Sequence, residues 1–186
     1  MRIRYLIILL ILFGACTGDG NKTNRFEELS NPSKEEIHDN MIPIKDSMLS
    51  YCNHRYSFCL SYPASFHPMG ESDNGDGQSF KTNDGNALIS SYGGLVISED
   101  EFNWNIETEY EKILESQTLI SKEKSQNAFK VTYEEGNDIF YRETNYRKVN
   151  YYGVPDTKIL NTLIISFPKE KYAQYQQYIN LVQLEF

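Results

Sequence analysis

One stretch of the sequence collects the side chains that zinc prefers as ligands. It holds Cys52, His54, Cys59 and His67, and thiolates and imidazoles are the usual zinc ligands in proteins. Their spacing matches no standard zinc signature. The two cysteines could instead form a disulfide or, beside His54, a thiol–imidazole pair able to act as a nucleophile. We favour the disulfide and predict no metal and no other cofactor.

The start of the chain supports the disulfide over a metal site. Residues 1–4 carry two arginines, residues 5–13 are an unbroken apolar run, and Gly14, Ala15 and Cys16 follow. This layout is typical of a secretory signal, and small residues before a cysteine resemble the lipobox of bacterial lipoproteins. Phe13 departs from the leucine that is usual there. The apolar stretch would form a helix of about 16 Å, too short to span a hydrocarbon core of about 30 Å.

The lipobox resemblance implies a processed and acylated chain. Residues 1–15 would be the signal peptide, and Cys16 would carry lipid of the palmitate type that anchors the protein to a membrane. The anchored chain would lie in the bacterial cell envelope. Thr17 replaces the aspartate that retains some lipoproteins at the inner membrane, so the outer membrane or a periplasm-facing position is favoured.

Lipidation of Cys16 would leave Cys52 and Cys59 as an even pair in an oxidising compartment, where disulfides form. A tight hairpin would prevent that bridge. If Asn53 and His54 formed a two-residue turn, the Cα atoms of Cys52 and Cys59 would lie about 13 Å apart, beyond bridging distance. The sequence leaves this conflict open.

Two other kinds of chemistry, calcium binding and hydrolysis by a serine nucleophile, find little support in the sequence. Asp73, Asp76 and Asp84 could bind calcium, but Gly75 and Gly77 break the alternation of ligands that a calcium loop requires. Turn formation accounts for this cluster of aspartate and glycine residues. No Gly-x-Ser-x-Gly motif is present for a serine hydrolase. We therefore predict that the protein is not an enzyme.

The sequence has one concentration of basic and aromatic residues, and it could be a binding surface. It comprises Tyr141, Arg142, Tyr146, Arg147 and Lys148. On a strand, Tyr141 and Arg147 would share one face, and the other three would share the opposite face. The surface would suit an acidic or glycan partner. The alternative is the ordinary solvent face of a hairpin with cross-strand tyrosine pairs.

The net charge of the chain argues against partners that are themselves strongly negative. Removing Arg2 and Arg4 with the signal leaves 16 basic and 26 acidic side chains, a net charge of −10. Such an acidic chain is a poor candidate for binding nucleic acid or anionic headgroups. Aromatic residues make up 13% of the chain, which indicates a folded core.

The pattern divides the chain into a lipidated cysteine with a polar tether, residues 16–47, and a single domain, residues 48–186. Asn105 is a plausible N-cap for one helix, and Pro168 precedes a second apolar stripe of helical period. The predicted strands are residues 55–62, 78–81, 87–92, 95–97, 128–134, 139–151 and 158–167, and the predicted helices are residues 106–117 and 172–182. Short turns between strands and helices in two places predict an α+β fold, an antiparallel sheet flanked by helices.

Several of these segments resemble the PsbP-like family. Residues 56–63 resemble its opening strand, which ends in Tyr-Pro, and residues 80–85 resemble its hairpin with phenylalanine followed by Asp-Gly. Residues 140–142 and 172–186 resemble its aromatic strand and its terminal helix. The resemblance is diffuse, covers residues 48–186 and implies an α/β/α sandwich with a non-enzymatic, partner-binding role.

These observations predict a non-catalytic envelope lipoprotein. It would be anchored to the membrane through Cys16 and would bind an unidentified protein partner or assist an assembly. The alternative is a module that binds a small ligand, a glycan or a metal.

Overall fold

The computed structural model describes residues 47–99 and 102–186. Cys16, the predicted signal peptide and all but the last residue of the predicted tether lie outside the described residues. Within them, no helix combines the length and the apolarity that crossing a bilayer requires.

Antiparallel strands dominate the described chain. The strands are β1 (Met48–Asn53), β2 (Phe58–Pro63), β3 (Phe66–Glu71), β4 (Gly77–Thr82), β5 (Leu88–Leu95), β6 (Ile97–Glu99), β7 (Phe102–Trp104), β8 (Thr118–Lys124), β9 (Ala128–Glu135), β10 (Asp138–Tyr151), β11 (Val154–Pro168) and β12 (Gln183–Glu185). The helices are α1 (Ile106–Ser116), α2 (Tyr172–Tyr175) and α3 (Tyr178–Leu181), and a 3₁₀ turn spans Lys169–Lys171.

The strands form a β-sandwich. A seven-stranded sheet has the order β3-β4-β5-β11-β10-β9-β8, and a three-stranded sheet has the order β1-β2-β12. β6 and β7 form a separate small hairpin. The predicted α+β fold, a sheet flanked by helices in an α/β/α sandwich, is wrong. A second sheet, rather than a layer of helices, covers one face of the large sheet, because α2 and α3 have only four residues each.

The core lies mainly between the two sheets. Leu60 and Tyr62 of β2 pack with Phe80, Ile89 and other residues of the large sheet and with the short C-terminal helices. The opposite face of the large sheet packs against α1 in a second cluster that includes Ile113. Burial of apolar surface at about 25 cal/mol per Å² drives both contacts.

Local signals explain the elements that the sequence predicts well. The side chain of Asn105 accepts hydrogen bonds from the backbone N–H groups of Glu107 and Thr108, and the Thr108 hydroxyl accepts from the Asn105 backbone N–H. This capping box starts α1 where the pattern predicts. Gly85, with a φ of 71°, supplies the left-handed residue of the predicted turn between β4 and β5.

The predicted disulfide between Cys52 and Cys59 is confirmed. The two cysteines are direct cross-strand partners in the β1–β2 hairpin, and their Cα atoms lie 4.0 Å apart. The predicted conflict disappears because the hairpin turns through residues 54–57 rather than through Asn53 and His54. A four-residue loop brings the cysteines into register.

Gly93 and Gly94 continue β5 and do not break it. A Cβ at Gly93 would overlap the side chain of Tyr56, and one at Gly94 would lie 2.7 Å from the Trp104 ring. The glycines therefore let aromatic rings pack directly on the strand, one of them from the β1–β2 loop.

The end of the chain differs from its predicted helix. The apolar stripe of residues 172–182 is divided between α2 and α3, and the chain then enters β12. β12 pairs with β2, placing Leu184 opposite Leu60. This non-local pairing makes the residues after the predicted helix an edge strand.

Candidate functional site: a polar cleft between the sheets

A cleft opens at one side of the sandwich, where the three-stranded sheet ends at β12 and the large sheet continues to β8. Its volume is about 510 Å³. Strands β8, β9 and β10 form its floor, while α3 and β12 form its wall. Because β12 pairs only with β2 within the described part of the chain, the backbone groups of its other edge have no strand partner there and could bond a ligand or a further strand.

Three charged residues cross the floor of the cleft in one row. Lys130 of β9 lies directly opposite Glu123 of β8 on one side and Glu143 of β10 on the other. Its ammonium nitrogen is 3.6 Å from Oε2 of Glu143. The side chain of Lys130 is 49% exposed and that of Glu143 is 17% exposed. The row therefore carries one net negative charge at the floor of a half-enclosed space.

Neighbours on the same strand hold the Glu143 carboxylate in place. The Tyr141 hydroxyl donates to Oε2 over 3.0 Å, and the Asn145 side-chain amide donates to Oε1 over 3.0 Å. Alternation along β10 places these three side chains on one face. Both oxygens of the carboxylate are thus engaged, which fixes its orientation before any ligand binds.

Tyr141 acts in the cleft as a hydrogen-bond donor. Burial of its ring, with the adjacent negative charge of Glu143, raises the pKa of the phenol well above its usual range. The phenol stays protonated throughout the physiological pH range. This favours recognition by hydrogen bonding and disfavours a role for Tyr141 as a nucleophile or general base.

The structure divides the five basic and aromatic residues named from the sequence between the two faces of β10. Tyr141 and Arg147 face the three-stranded sheet, and only Tyr141 lines the cleft. Tyr146 packs in the cluster around α1. Lys148 is exposed on the same face as Tyr146. The five residues therefore form no continuous surface.

The two arginines of that set have structural partners. Arg147 donates to the backbone oxygen of Ser57 over 2.7 Å and to Oδ1 of Asn161 over 3.3 Å. Its guanidinium carbon lies 4.1 Å from the Phe186 ring centroid. Burial lowers the pKa of Arg147. Arg142 pairs with Glu109 of α1, at the opposite face of the sheet.

The side chains considered for metals have other roles. The thiols of Cys52 and Cys59 are bridged, while His54 and His67 are exposed. Asp76 and Asp84 bond their own turns, Asp76 to Ser72 and Asp84 to Thr82. Among residues 47–99 and 102–186, no group of three His, Cys, Asp or Glu side chains is placed to hold a metal ion.

Sequence reasoning missed the charged row. The alternation along β10 could have paired Glu143 with Tyr141, since two residues separate them on a predicted strand. Lys130 and Glu123 could not have been added. Their positions depend on the register of β8 against β9, and β8 is nearly all solvent-exposed, so it lacks the apolar alternation that reveals a strand.

No protein-family model matches the chain, and a comparison with curated proteins finds no significant match. The resemblance to the PsbP-like family and the resemblance to lipoprotein signals stay predictions from the sequence.

Proposed function

We propose that this protein is a non-catalytic lipoprotein of a bacterial envelope, held at a membrane by lipid on Cys16. Its β-sandwich domain binds a partner in the cleft between the sheets. The anchor rests on the sequence around Gly14, Ala15 and Cys16. Thr17 after the cysteine favours an outer-membrane or periplasm-facing position over the inner membrane.

The observation that carries the binding role is the pre-oriented carboxylate of Glu143. Tyr141 and Asn145 hold both of its oxygens, and its side chain is 17% exposed. Fixing a polar group before binding reduces the entropy that a ligand must overcome. A carboxylate arranged in this way at the floor of a cleft suits recognition better than it suits a solvated surface.

The charges of the cleft indicate the chemistry of the partner. Glu123 and Glu143 flank the single ammonium group of Lys130, so the net charge favours a positively charged group. The edge of β12 that pairs with no other described strand adds backbone donors and acceptors along the cleft, the groups that pair with an extended peptide. A protein segment with a lysine or arginine side chain fits both features.

Two further observations favour binding over catalysis. The bridged thiols of Cys52 and Cys59 are not available as nucleophiles. The raised pKa of Tyr141 keeps its phenol neutral, so that group is a donor and not a base.

The second candidate is a module that binds a small ligand, a glycan or a metal. A volume of about 510 Å³ lies within the range of small-molecule sites, and the polar floor would suit a neutral sugar. The net negative charge of the row favours the cationic partner.

A thermal-shift series tests the binding role, since a ligand that binds the native state raises its midpoint of unfolding. The probes are an oligolysine peptide, neutral oligosaccharides and divalent metal ions. We expect oligolysine to raise the midpoint of the unaltered protein and to have a much smaller effect on Glu143→Gln. The matched control is Glu115→Gln, which alters an exposed glutamate of α1.

If oligolysine raised the midpoint of unfolding equally in both variants, the experiment would be measuring only general charge attraction. That result would contradict binding in the cleft. A shift with oligosaccharides or metals that depends on Glu143 would support the second candidate.

A further inference from the structure

The β10–β11 hairpin extends beyond the sheet that holds its base. β9 pairs with β10 only as far as Asn145, and β5 pairs with β11 only from Ile159. Between these points, no third strand of the described chain joins the hairpin, and backbone bonds from outside reach only its base, from Val96 N–H to the Lys158 oxygen and from Tyr146 N–H to the Asn127 oxygen. We refer to residues 148–158 as the hairpin tip.

A tyrosine occupies the left-handed position at the end of the hairpin tip. Tyr151 pairs with Val154, so Tyr152 and Gly153 are the two loop residues. Their φ angles are 49° and 83°, the signs that a type I′ turn requires at both positions. Asparagine or glycine fits the first position with less strain than a bulky residue. The Tyr152 side chain is nevertheless 80% exposed, so burial within the protein does not compensate for the strain.

The ring of Tyr151, next to Tyr152, is held in place by neighbouring side chains. Tyr151 lies 4.8 Å from the Tyr152 ring and 5.6 Å from the Tyr56 ring, measured between centroids. Nε of Arg55 donates to the Tyr151 hydroxyl over 2.9 Å. The β1–β2 loop thus packs against one face of the tip and places the guanidinium group of Arg55 beside it.

The opposite face of the tip carries two lysines. Lys148 and Lys158 are direct cross-strand partners, and both are exposed. Like charges directly opposite each other destabilise a strand pair. Neither lysine forms an ion pair with any side chain that the structure describes, so this repulsion has no compensating acid there.

We propose that the hairpin tip binds the surface of an anionic phospholipid bilayer. Tyr152 and Val154, which is 59% exposed, would enter the interface between headgroups and acyl chains, where tyrosine is favoured. Arg55 on one face and the lysine pair on the other would lie at the level of the phosphates.

The arrangement favours a bilayer over an acidic protein or polysaccharide. Such a partner would contact one face of the tip, whereas a plane met end-on contacts both faces at once. Asp156 is the one acidic residue of the tip. The net charge of the whole chain, −8, acts weakly at this surface because exposed charges are screened beyond about 8 Å in physiological salt.

A fluorescence experiment on the full chain reads the position of the tip directly. Tyr152→Trp adds a probe at the end of the tip, and the unaltered chain, whose single tryptophan is Trp104, supplies the background. Every variant also carries Cys16→Ala, so the leader contributes equally. The vesicles contain phosphatidylcholine alone or mixed with phosphatidylglycerol, each with and without brominated acyl chains.

We expect emission from position 152 to move to shorter wavelength, and bromine to quench it, only with phosphatidylglycerol. Reversing both lysines, Lys148→Glu with Lys158→Glu, should raise the lipid concentration needed for this change roughly tenfold or more. The control Lys112→Glu with Lys122→Glu alters two exposed lysines outside the tip, in α1 and β8, and should leave the concentration unchanged.

Three results would overturn the proposal. The first is no change in the emission from position 152 with either kind of vesicle, and the second is an equal change with neutral vesicles. The third is a change produced by soluble polyglutamate or heparin but not by vesicles. The last would assign the tip to an acidic protein or polysaccharide.

Discussion

Arg142 of β10 donates from Nη2 to the carboxylate of Glu109 in α1 over 2.5 Å. The two side chains are only 12% and 14% exposed. This pair joins the first turn of α1 to strand β10 of the large sheet, beside the cluster that includes Phe129 and Ile113. It also explains why Arg142 does not contribute to a binding surface.

Removing one partner of this pair should destabilise the protein strongly. We expect Arg142→Met to lower the free energy of unfolding by roughly 3 kcal/mol, because it leaves Glu109 as an uncompensated buried charge. Urea unfolding followed by circular dichroism measures the loss. The control is Lys124→Met, which removes the more exposed pair between β8 and Glu107 and should cost less than about 1 kcal/mol. Equal losses would contradict the assigned difference in burial.

The Cys52–Cys59 disulfide should stabilise the domain by constraining the unfolded chain. The chain-entropy relation for a loop of this length gives about 2.5 kcal/mol. Replacing both cysteines by serine should lower the free energy of unfolding by that order. Thiol counting in denatured, unreduced Cys16→Ala protein checks the bridge. We expect no free thiol before reduction and two after it; two free thiols before reduction would refute the bridge.

Stability should fall at alkaline pH through two phenols, that of the buried Tyr175 and that of the half-buried Tyr51. Burial, aided by the Asp84 carboxylate that accepts its hydroxyl over 2.7 Å, raises the pKa of Tyr175 to about 12. Burial, with the Glu71 carboxylate as acceptor, raises the pKa of Tyr51 to about 12. The unfolded chain releases these protons near pH 10. Their contribution is therefore full below about pH 10 and is lost as the pH rises towards 12.

Unfolding in urea at a series of pH values from 9 to 11.5 tests this dependence. The free energy of unfolding should fall less steeply for Tyr175→Phe than for the unaltered protein. Asp84→Asn should have a similar but smaller effect, since it removes the acceptor and keeps the phenol. Unchanged steepness in Tyr175→Phe would show that this phenol has the same pKa in both states.

Tyr152→Asn should stabilise the protein. Asparagine adopts the left-handed conformation more easily than tyrosine, so we expect a gain of roughly 0.5–1 kcal/mol. Gly153→Ala, at a φ of 83°, should instead destabilise it. Thermal unfolding of the two variants measures both effects. A loss of stability in Tyr152→Asn would mean that the ring contributes to the fold and would weaken the inference about the hairpin tip.

Elements with local signals could be predicted from the sequence. The capping side chain of Asn105 and the apolar spacing from Ile106 to Ile113 define α1 without reference to the rest of the chain. The strands that became β9, β10 and β11 alternate clearly or contain long apolar runs. Gly85 and Gly136, both with positive φ, mark turns between strands.

Elements that depend on distant partners could not be predicted. β12 follows a helical apolar stripe, and only its pairing with β2 makes it a strand. β8 is exposed along its length and is recognisable only beside β9. The fold class could not be predicted without these strands, because β12 completes the second sheet. The cleft depended on them as well, since β12 forms its wall and β8 its outer floor.

Metabolic labelling with radioactive palmitate in a bacterium that processes lipoproteins tests the proposed anchor most directly. We expect the full chain to take up the label and to enter the detergent phase on phase separation. The variant lacking Cys52 and Cys59 should do the same, whereas Cys16→Ala should remain unlabelled. Label retained in Cys16→Ala, or absent from the unaltered chain, would contradict the assignment of this protein as an envelope lipoprotein.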